Sequence, residues 1–223
     1  MMCTEYLYPL YLYPEDLFNR SGGLTEKKPN LAPALLQALN ETHQRRLSPE
    51  EIFCYMYAVL YAPSYRTKYA ESLKSDFPRI PFTKDKDLFT KLAALGKKLV
   101  DLHLLKSSEL DLPICRFQGK GDNRVEKQAY NEKEKRVYIN DTQYFEGVEP
   151  EVWKYQIGGY QVLDKWLKDR KKRILTTDDI KHYCRVVTAL AKTIEIQTQI
   201  DEFYLEVEKD TISLGHALFP LTR

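Results

Sequence analysis

Histidine and cysteine are both scarce in this chain, four of each in 223 residues, and neither is clustered. Cys3, Cys54, Cys115 and Cys184 form no CxxC pair. That spacing argues against a zinc ribbon or a disulfide framework and leaves reduced, cytosolic thiols as the expectation. The histidines are equally dispersed, so no metal ligand set is expected. No apolar run approaches the ~20 residues that span a bilayer, and no signal-peptide core follows the N-terminus. A cytoplasmic chain without a membrane partner is expected.

Catalytic signatures are missing too. Gly119-Lys120-Gly121 has no third glycine and no following GK[ST], so it reads as a hairpin turn and not as a phosphate loop. There is no methyltransferase glycine loop with an aromatic Asn-Pro-Pro pocket, and no serine in a GxSxG elbow. Asp169-Arg170-Lys171 and Glu26-Lys27-Lys28 have the acid-x-Lys spacing of a Mg²⁺-dependent nuclease, but neither sits on a convincing strand. With 34 Lys/Arg and 32 Asp/Glu, such triplets arise by chance. His103 falls near a helix end and His182 on a helix surface. No catalytic residue, metal or cofactor is expected, and the nuclease remains the weaker alternative.

What the chain does have is an uneven charge. Residues 1–60 carry five Lys/Arg against seven Asp/Glu, residues 61–173 carry 24 against 17, and residues 174–223 carry five against eight. A basic middle between acidic ends suits a phosphate backbone, although mildly basic surfaces are common.

Local signals describe an α+β chain with a helical N-terminal part, a β-rich central insert of short antiparallel strands, and C-terminal helices ending in one long helix. Arg20-Ser21-Gly22-Gly23 reads as a loop. Leu35, Leu36 and Leu39 have helical spacing. Ser48, Pro49 and Glu51 make a capping box that opens a helix apolar on nearly every side, which implies burial. Tyr65, Tyr69 and Leu73 stack four apart in a further helical stretch. Phe77 to Pro81 is extended because of its prolines. Leu88, Leu92, Leu95, Leu99 and Leu102 predict an amphipathic helix over 85–105.

Beyond Pro113, β-branched and aromatic runs separated by polar turns predict short strands, with a further one over 152–157 before Gly158-Gly159. Val162, Leu163, Trp166, Leu167 and the stem of Arg170 make a buried helical stripe. Thr176 to Asp179 caps a long helix carrying Ile180, Tyr183, Val187, Leu190 and Ile194, whose acidic end past Ile200 is expected to fray. The chain is expected to form a single domain, with a helical part at 1–112, a β-rich part at 113–160, C-terminal helices at 161–204 and a tail at 205–223.

Two tracts carry polyanion chemistry. KYQIGGYQVLDKWLKDRKKR, residues 154–173, has seven Lys/Arg against two Asp. It reads either as a phosphate clamp, with Lys165, Lys168 and Lys172 outward, or as the solvated face of a helix. Arg79, Arg116 and Arg136 are further phosphate candidates. Around the turn from 118 to 128, Gln118, Lys120, Asn123, Arg124 and Lys127 have base-edge donors and acceptors, and Asn140 and Gln143 extend the set along the next strand. Arg forks onto guanine and Asn or Gln onto adenine. Ordinary polar hairpin loops would carry the same residues.

The stretches LSPEEIFCYMYAVLYAPSYRTKYAESLKSDFPRIPF, KLAALGKKLVDLHLL, FQGKGDNRVEK, RVYINDTQYFEGV, VWKYQIGGYQVLDKWLKDRKKR and DDIKHYCRVVTALAKTIEIQTQID give the chain a name by likeness. In this order, from about Tyr6 to Asp201, they closely resemble the C-terminal specificity domain of Type ISP restriction-modification enzymes. Similar domains end other adenine-specific DNA methylase and helicase polypeptides. The resemblance implies a target-recognition domain that reads double-stranded DNA. Upstream methyltransferase and helicase/nuclease domains then supply N6-adenine methylation, translocation and cleavage. Family members read different sites, so FPRIP, GDN-x-VEK and LDKWLKDR are better suited to scaffold or phosphate contact, and target choice is expected between them. A module docking onto a methylase or helicase core is the other reading.

Overall fold

The computed structural model describes residues 7–13 and 27–213. Cys3, the loop at Arg20 to Gly23, Glu26 and the tail beyond residue 213 lie outside the described residues. In chain order the elements are β1 (Tyr11–Leu12), β2 (Lys28–Pro29), α1 (Pro33–His43), α2 (Pro49–Tyr61), α3 (Pro63–Lys68), α4 (Ser72–Ser75) and α5 (Lys86–His103). They are followed by β3 (Arg116–Gln118), β4 (Ala129–Asn131), β5 (Arg136–Tyr138), β6 (Tyr144–Glu146), α6 (Pro150–Lys154), β7 (Gln156–Ile157), β8 (Tyr160–Gln161), α7 (Val162–Lys168) and α8 (Thr177–Val207). The chain is α+β, as its patterning implied, and it divides into two compact units, Met1–Lys97 with Ile200–Arg223, and Lys98–Gln199.

In the first unit α2 begins at the expected capping box. Ser48 Oγ accepts from Glu51 N at 3.1 Å, and the Glu51 carboxylate accepts from Ser48 N at 2.9 Å. Tyr55 is buried between Phe82 and Phe89, with ring centroids 5.3 and 4.6 Å away, and its hydroxyl donates to Pro81 O. Burial of α2 is one-sided, however, because Phe53 stays 40% exposed. The end of α8 does not fray as its acidity suggested. Tyr204 and Val207 are buried, Asp201 accepts from Ser64 N and Oγ, and Glu208 pairs with Lys68 at 2.8 Å. Acids with defined partners need not loosen a helix whose other face is packed.

His43, the last residue of α1, is buried against Phe89, and neither ring nitrogen has a hydrogen-bond partner among the described residues. Burial holds its pKa below the ordinary value, with Arg45 and Lys86 adding to the effect and Asp85 opposing it. His103 and His182 shift the same way, chiefly by burial. The unfolded chain therefore binds these protons more readily, so stability is full above about pH 6.5 and falls as the pH drops below it. Thermal melts between pH 8 and 5.5 should show this loss, and His43→Leu should reduce it by the His43 share. A pH-independent melting temperature over that range would contradict the burial of a neutral imidazole.

The second unit is built on a four-stranded antiparallel sheet of order β3-β6-β5-β4. Phe117, Val137 and Phe145 turn one face of it onto α7 and α8, where Leu163, Leu167, Tyr183, Val187 and Leu190 complete the core. Trp166 is only partly buried at the edge of this cluster, with the Arg170 guanidinium 3.6 Å from its ring centre. Residues 150–154 are helical rather than the start of a strand, because Pro150 occupies the first position of α6 and strand pairing begins only at Gln156. Among the described residues no helix is long and apolar enough to cross a membrane.

Candidate nucleic-acid interface

The strands flanking the polar turn, β3 and β4, lie on opposite edges of the sheet and do not pair with each other. The turn is therefore not the tip of a hairpin. It crosses the end of the sheet and finds a different partner, the segment that follows α7. Arg124 and Ile174 form an antiparallel bridge, with Val125 N donating to Arg173 O and Leu175 N donating to Asn123 O, both at 2.9 Å. Lys172 N also donates to Val125 O at 2.7 Å, so Lys172 and Arg173 share one partner residue, and Lys172 is left-handed with φ 67°. That is the pattern of a β-bulge, which bends a strand and re-aims its side chains. The polar turn and the basic tract, read separately in the sequence, are two strands of one short ribbon.

Three amides hold the turn from inside. Gln143 is 2% exposed; its Oε1 accepts from Asn123 N at 2.9 Å and from Asn140 Nδ2 at 3.1 Å, and its Nε2 donates to Asn123 Oδ1 at 2.7 Å. Asn140 Nδ2 also donates to Arg124 O, while its Oδ1 accepts from Gln143 N and Thr142 N. This revises the expectation that Asn123, Asn140 and Gln143 face a base, because their hydrogen-bonding groups are engaged within the loop. Gly119 and Gly121 are needed for the wrap. A Cβ at Gly119, where φ is +96°, would lie 2.0 Å from Thr142 O, and one at Gly121 would lie 2.5 Å from Gln143 Oε1.

The other candidates lie at the surface. Gln118 ends β3, and Lys120 and Lys127 project from the turn. Arg124 is held from two sides, with Nε donating to Asp122 Oδ2 at 3.3 Å and Nη1 to Lys172 O at 3.0 Å. These bonds use two of the five guanidinium donors. The Arg124 backbone N–H and then its side chain hold the Asp122 carboxyl below its ordinary pKa.

Among the phosphate candidates, Arg116 is exposed at the start of β3, and Lys172 is exposed in the bulge. Arg136 is committed to Glu146 at 2.7 Å and to Glu134 at 3.3 Å. Lys165 pairs with Asp169 at 2.6 Å and Lys168 with Asp164 at 2.5 Å along α7. Arg79 belongs to the first unit, 3.6 Å from Asp76.

Lys171 and Arg173 join the basic set, although composition alone did not single them out. Neither they nor Lys120, Lys127 and Lys172 form an ion pair among the described residues. A β-branched Ile174 beside Leu175, between a cation run and the Thr176 cap, was the available sign of a strand there. Asp169 of the supposed nuclease triplet is the partner of Lys165. Among the described residues no group of three or more His, Cys, Asp or Glu could hold a metal ion.

A small α+β domain carrying a basic, bulged ribbon is the class that fold and surface define. The chain belongs to the family described as the Type ISP C-terminal specificity domain, whose family model matches residues 1–199. Solved structures share its fold. One is a cryoEM structure of a DrdV–DNA complex, at TM-score 0.67 and 23% identity over 86% of this chain. Another is the ATP-dependent Type ISP restriction-modification enzyme LlaBIII bound to DNA, at TM-score 0.59 and 23% identity over 87%. A third is a nuclease-deletion mutant of the Type ISP enzyme LlaGI with a DNA substrate mimic, at TM-score 0.55 and 21% identity over 87%. The chain spans 21%, 13% and 17% of those three chains respectively. A search of curated proteins found no match.

Proposed function

We propose that this chain is a DNA target-recognition module of a cytoplasmic restriction-modification or DNA-methyltransferase system. It binds duplex DNA sequence-specifically and has no catalysis of its own. The two units act as one recognition domain, and methyltransferase and helicase/nuclease domains are its working partners. Family membership supports this reading, but the observation that carries it is the ribbon. It sets Arg124, with Lys120 and Lys127 of the same turn, beside Lys171, Lys172 and Arg173 of the segment bonded to it. Cations at such a surface neutralise phosphates and set the register, while side chains reaching the base edges supply discrimination. Gln118, Lys120, Arg124 and Lys127 are the proposed readers, with Arg116 and the bulge cations on the backbone and Asn123, Asn140 and Gln143 as positioning residues.

Affinity for duplex DNA should fall with salt, with a log–log slope of about 0.9 per phosphate neutralised. Replacing Lys171 by Gln, Lys172 by Asn (which tolerates the left-handed backbone) and Arg173 by Gln should weaken binding to all duplexes about equally and reduce the slope. Fluorescence anisotropy across a salt series measures both. Affinity that is flat with salt sinks the electrostatic account, and a loss confined to particular sequences removes these cations from the backbone-contact role.

A further inference from the structure

The ribbon carries one outward side chain that phosphate binding does not use. Ile174 is 53% exposed and follows the exposed cations Lys171, Lys172 and Arg173. Exposure alone says little, since single apolar residues are common on protein surfaces. Its place in the ladder says more. The bonds from Val125 N to Arg173 O and from Leu175 N to Asn123 O make Arg124 and Ile174 a non-hydrogen-bonded antiparallel pair. In such pairs the Cα atoms are about 4.5 Å apart and the two side chains stand close together on one face. The alternate residues, Val125 and Leu175, are 0% and 2% exposed and point into the core. Alternation along each strand therefore sends Arg124 and Ile174 outward as neighbours.

A two-stranded ribbon fits the DNA major groove, and the thymine methyl is the apolar group displayed on a base edge there. We propose that Ile174 is a specificity-determining residue that packs on the 5-methyl group of a thymine. This thymine lies at the base pair beside the guanine read by Arg124, since base pairs stack about 3.4 Å apart. The assignment rests on the target-recognition reading above and adds to it a second reader of different chemistry. Arg124, fixed by Asp122 and the Lys172 carbonyl, supplies the polar half of a two-residue contact. The bulge at Lys172 and Arg173 bends the strand that presents Ile174.

The test uses the full chain and a duplex selected by it from a random pool. Each thymine of the selected site is replaced in turn by uracil, which removes only the methyl group. One replacement should weaken binding by about fourfold, the value of one buried methyl. Ile174→Ala should bind the thymine and uracil duplexes equally and relax the selected sequence at that position alone. Arg124→Ala should relax the immediate neighbour of that position. Because Ile174 is exposed, its variant should melt like the parent.

A selected site without thymine overturns the assignment of Ile174, as does indifference to uracil at every thymine or undiminished discrimination by Ile174→Ala. Those outcomes leave target recognition standing. A pool that yields no common sequence overturns the target-recognition reading and the assignment together.

Discussion

Gly96→Ala should destabilise the first unit by about 3 kcal/mol, a size reached when a well-packed contact is overfilled. The sign runs against helix propensity, which favours alanine over glycine by about 1 kcal/mol in a helix interior. What decides it is the contact between α5 and α2. A Cβ at Gly96 would lie 1.8 Å from Cys54 O and 2.7 Å from Cys54 C, which are backbone atoms of α2 and cannot rotate aside. The helices must separate, and the side chains packed between them lose their contacts. Ala94→Ser, on the exposed flank of α5, is the control and should change little. Chemical denaturation of both variants measures the difference. A Gly96→Ala protein as stable as the parent would mean that the two backbones are not in contact.

Gln143→Ala should abolish target discrimination while leaving salt-dependent, nonspecific binding in place. The side chain is buried and joins Asn123 to Asn140, so its removal strips the Asn123 N–H and side-chain carbonyl of partners and opens the wrap around Gly121. A buried group left unsatisfied costs about 1–3 kcal/mol. The larger consequence is positional. A loop that moves by an ångström no longer presents its readers to the base edges, and each lost base-pair contact is worth about 1–3 kcal/mol. Loss of only two such contacts would lower affinity for the selected site by about 100-fold. The cations are untouched, so affinity for unrelated duplexes should hold. Equal loss on all duplexes would instead mean that Gln143 supports the whole unit, and retained discrimination would remove it from the positioning role.

Much of the fold was legible because its signals are local. The Ser48 capping box, the leucine spacing of α5, and the stripe from Ile180 to Ile194 each lie within a few turns of chain, and the structure realises each one. Two local readings failed, one for a local reason and one for a distant one. Pro150 starts a helix where β-branched residues suggested a strand, and the acidic end of α8 is held by Ser64 and Lys68, which are remote in sequence.

The candidate site was legible in its residues but not in its pairing. The Gln118–Gln128 turn and the tract after α7 were both marked by their side chains. Yet the bond from Arg124 Nη1 to Lys172 O joins residues 48 positions apart, and no periodicity reports that. Nor does composition distinguish an amide that faces a base from one that closes a loop. Gln143 and Asn140 have the vocabulary of readers, and only their partners reveal them as struts. Lys165 and Lys168 look like clamp residues until Asp169 and Asp164 are found one turn away.

The most direct test of the central claim is selection of bound duplexes from a random pool by the full chain, at moderate salt where nonspecific contacts are weakened. The account predicts a short common sequence containing a guanine, bound far more tightly than unrelated duplexes and with a salt-dependent affinity. A recovered pool as random as the one supplied would contradict it.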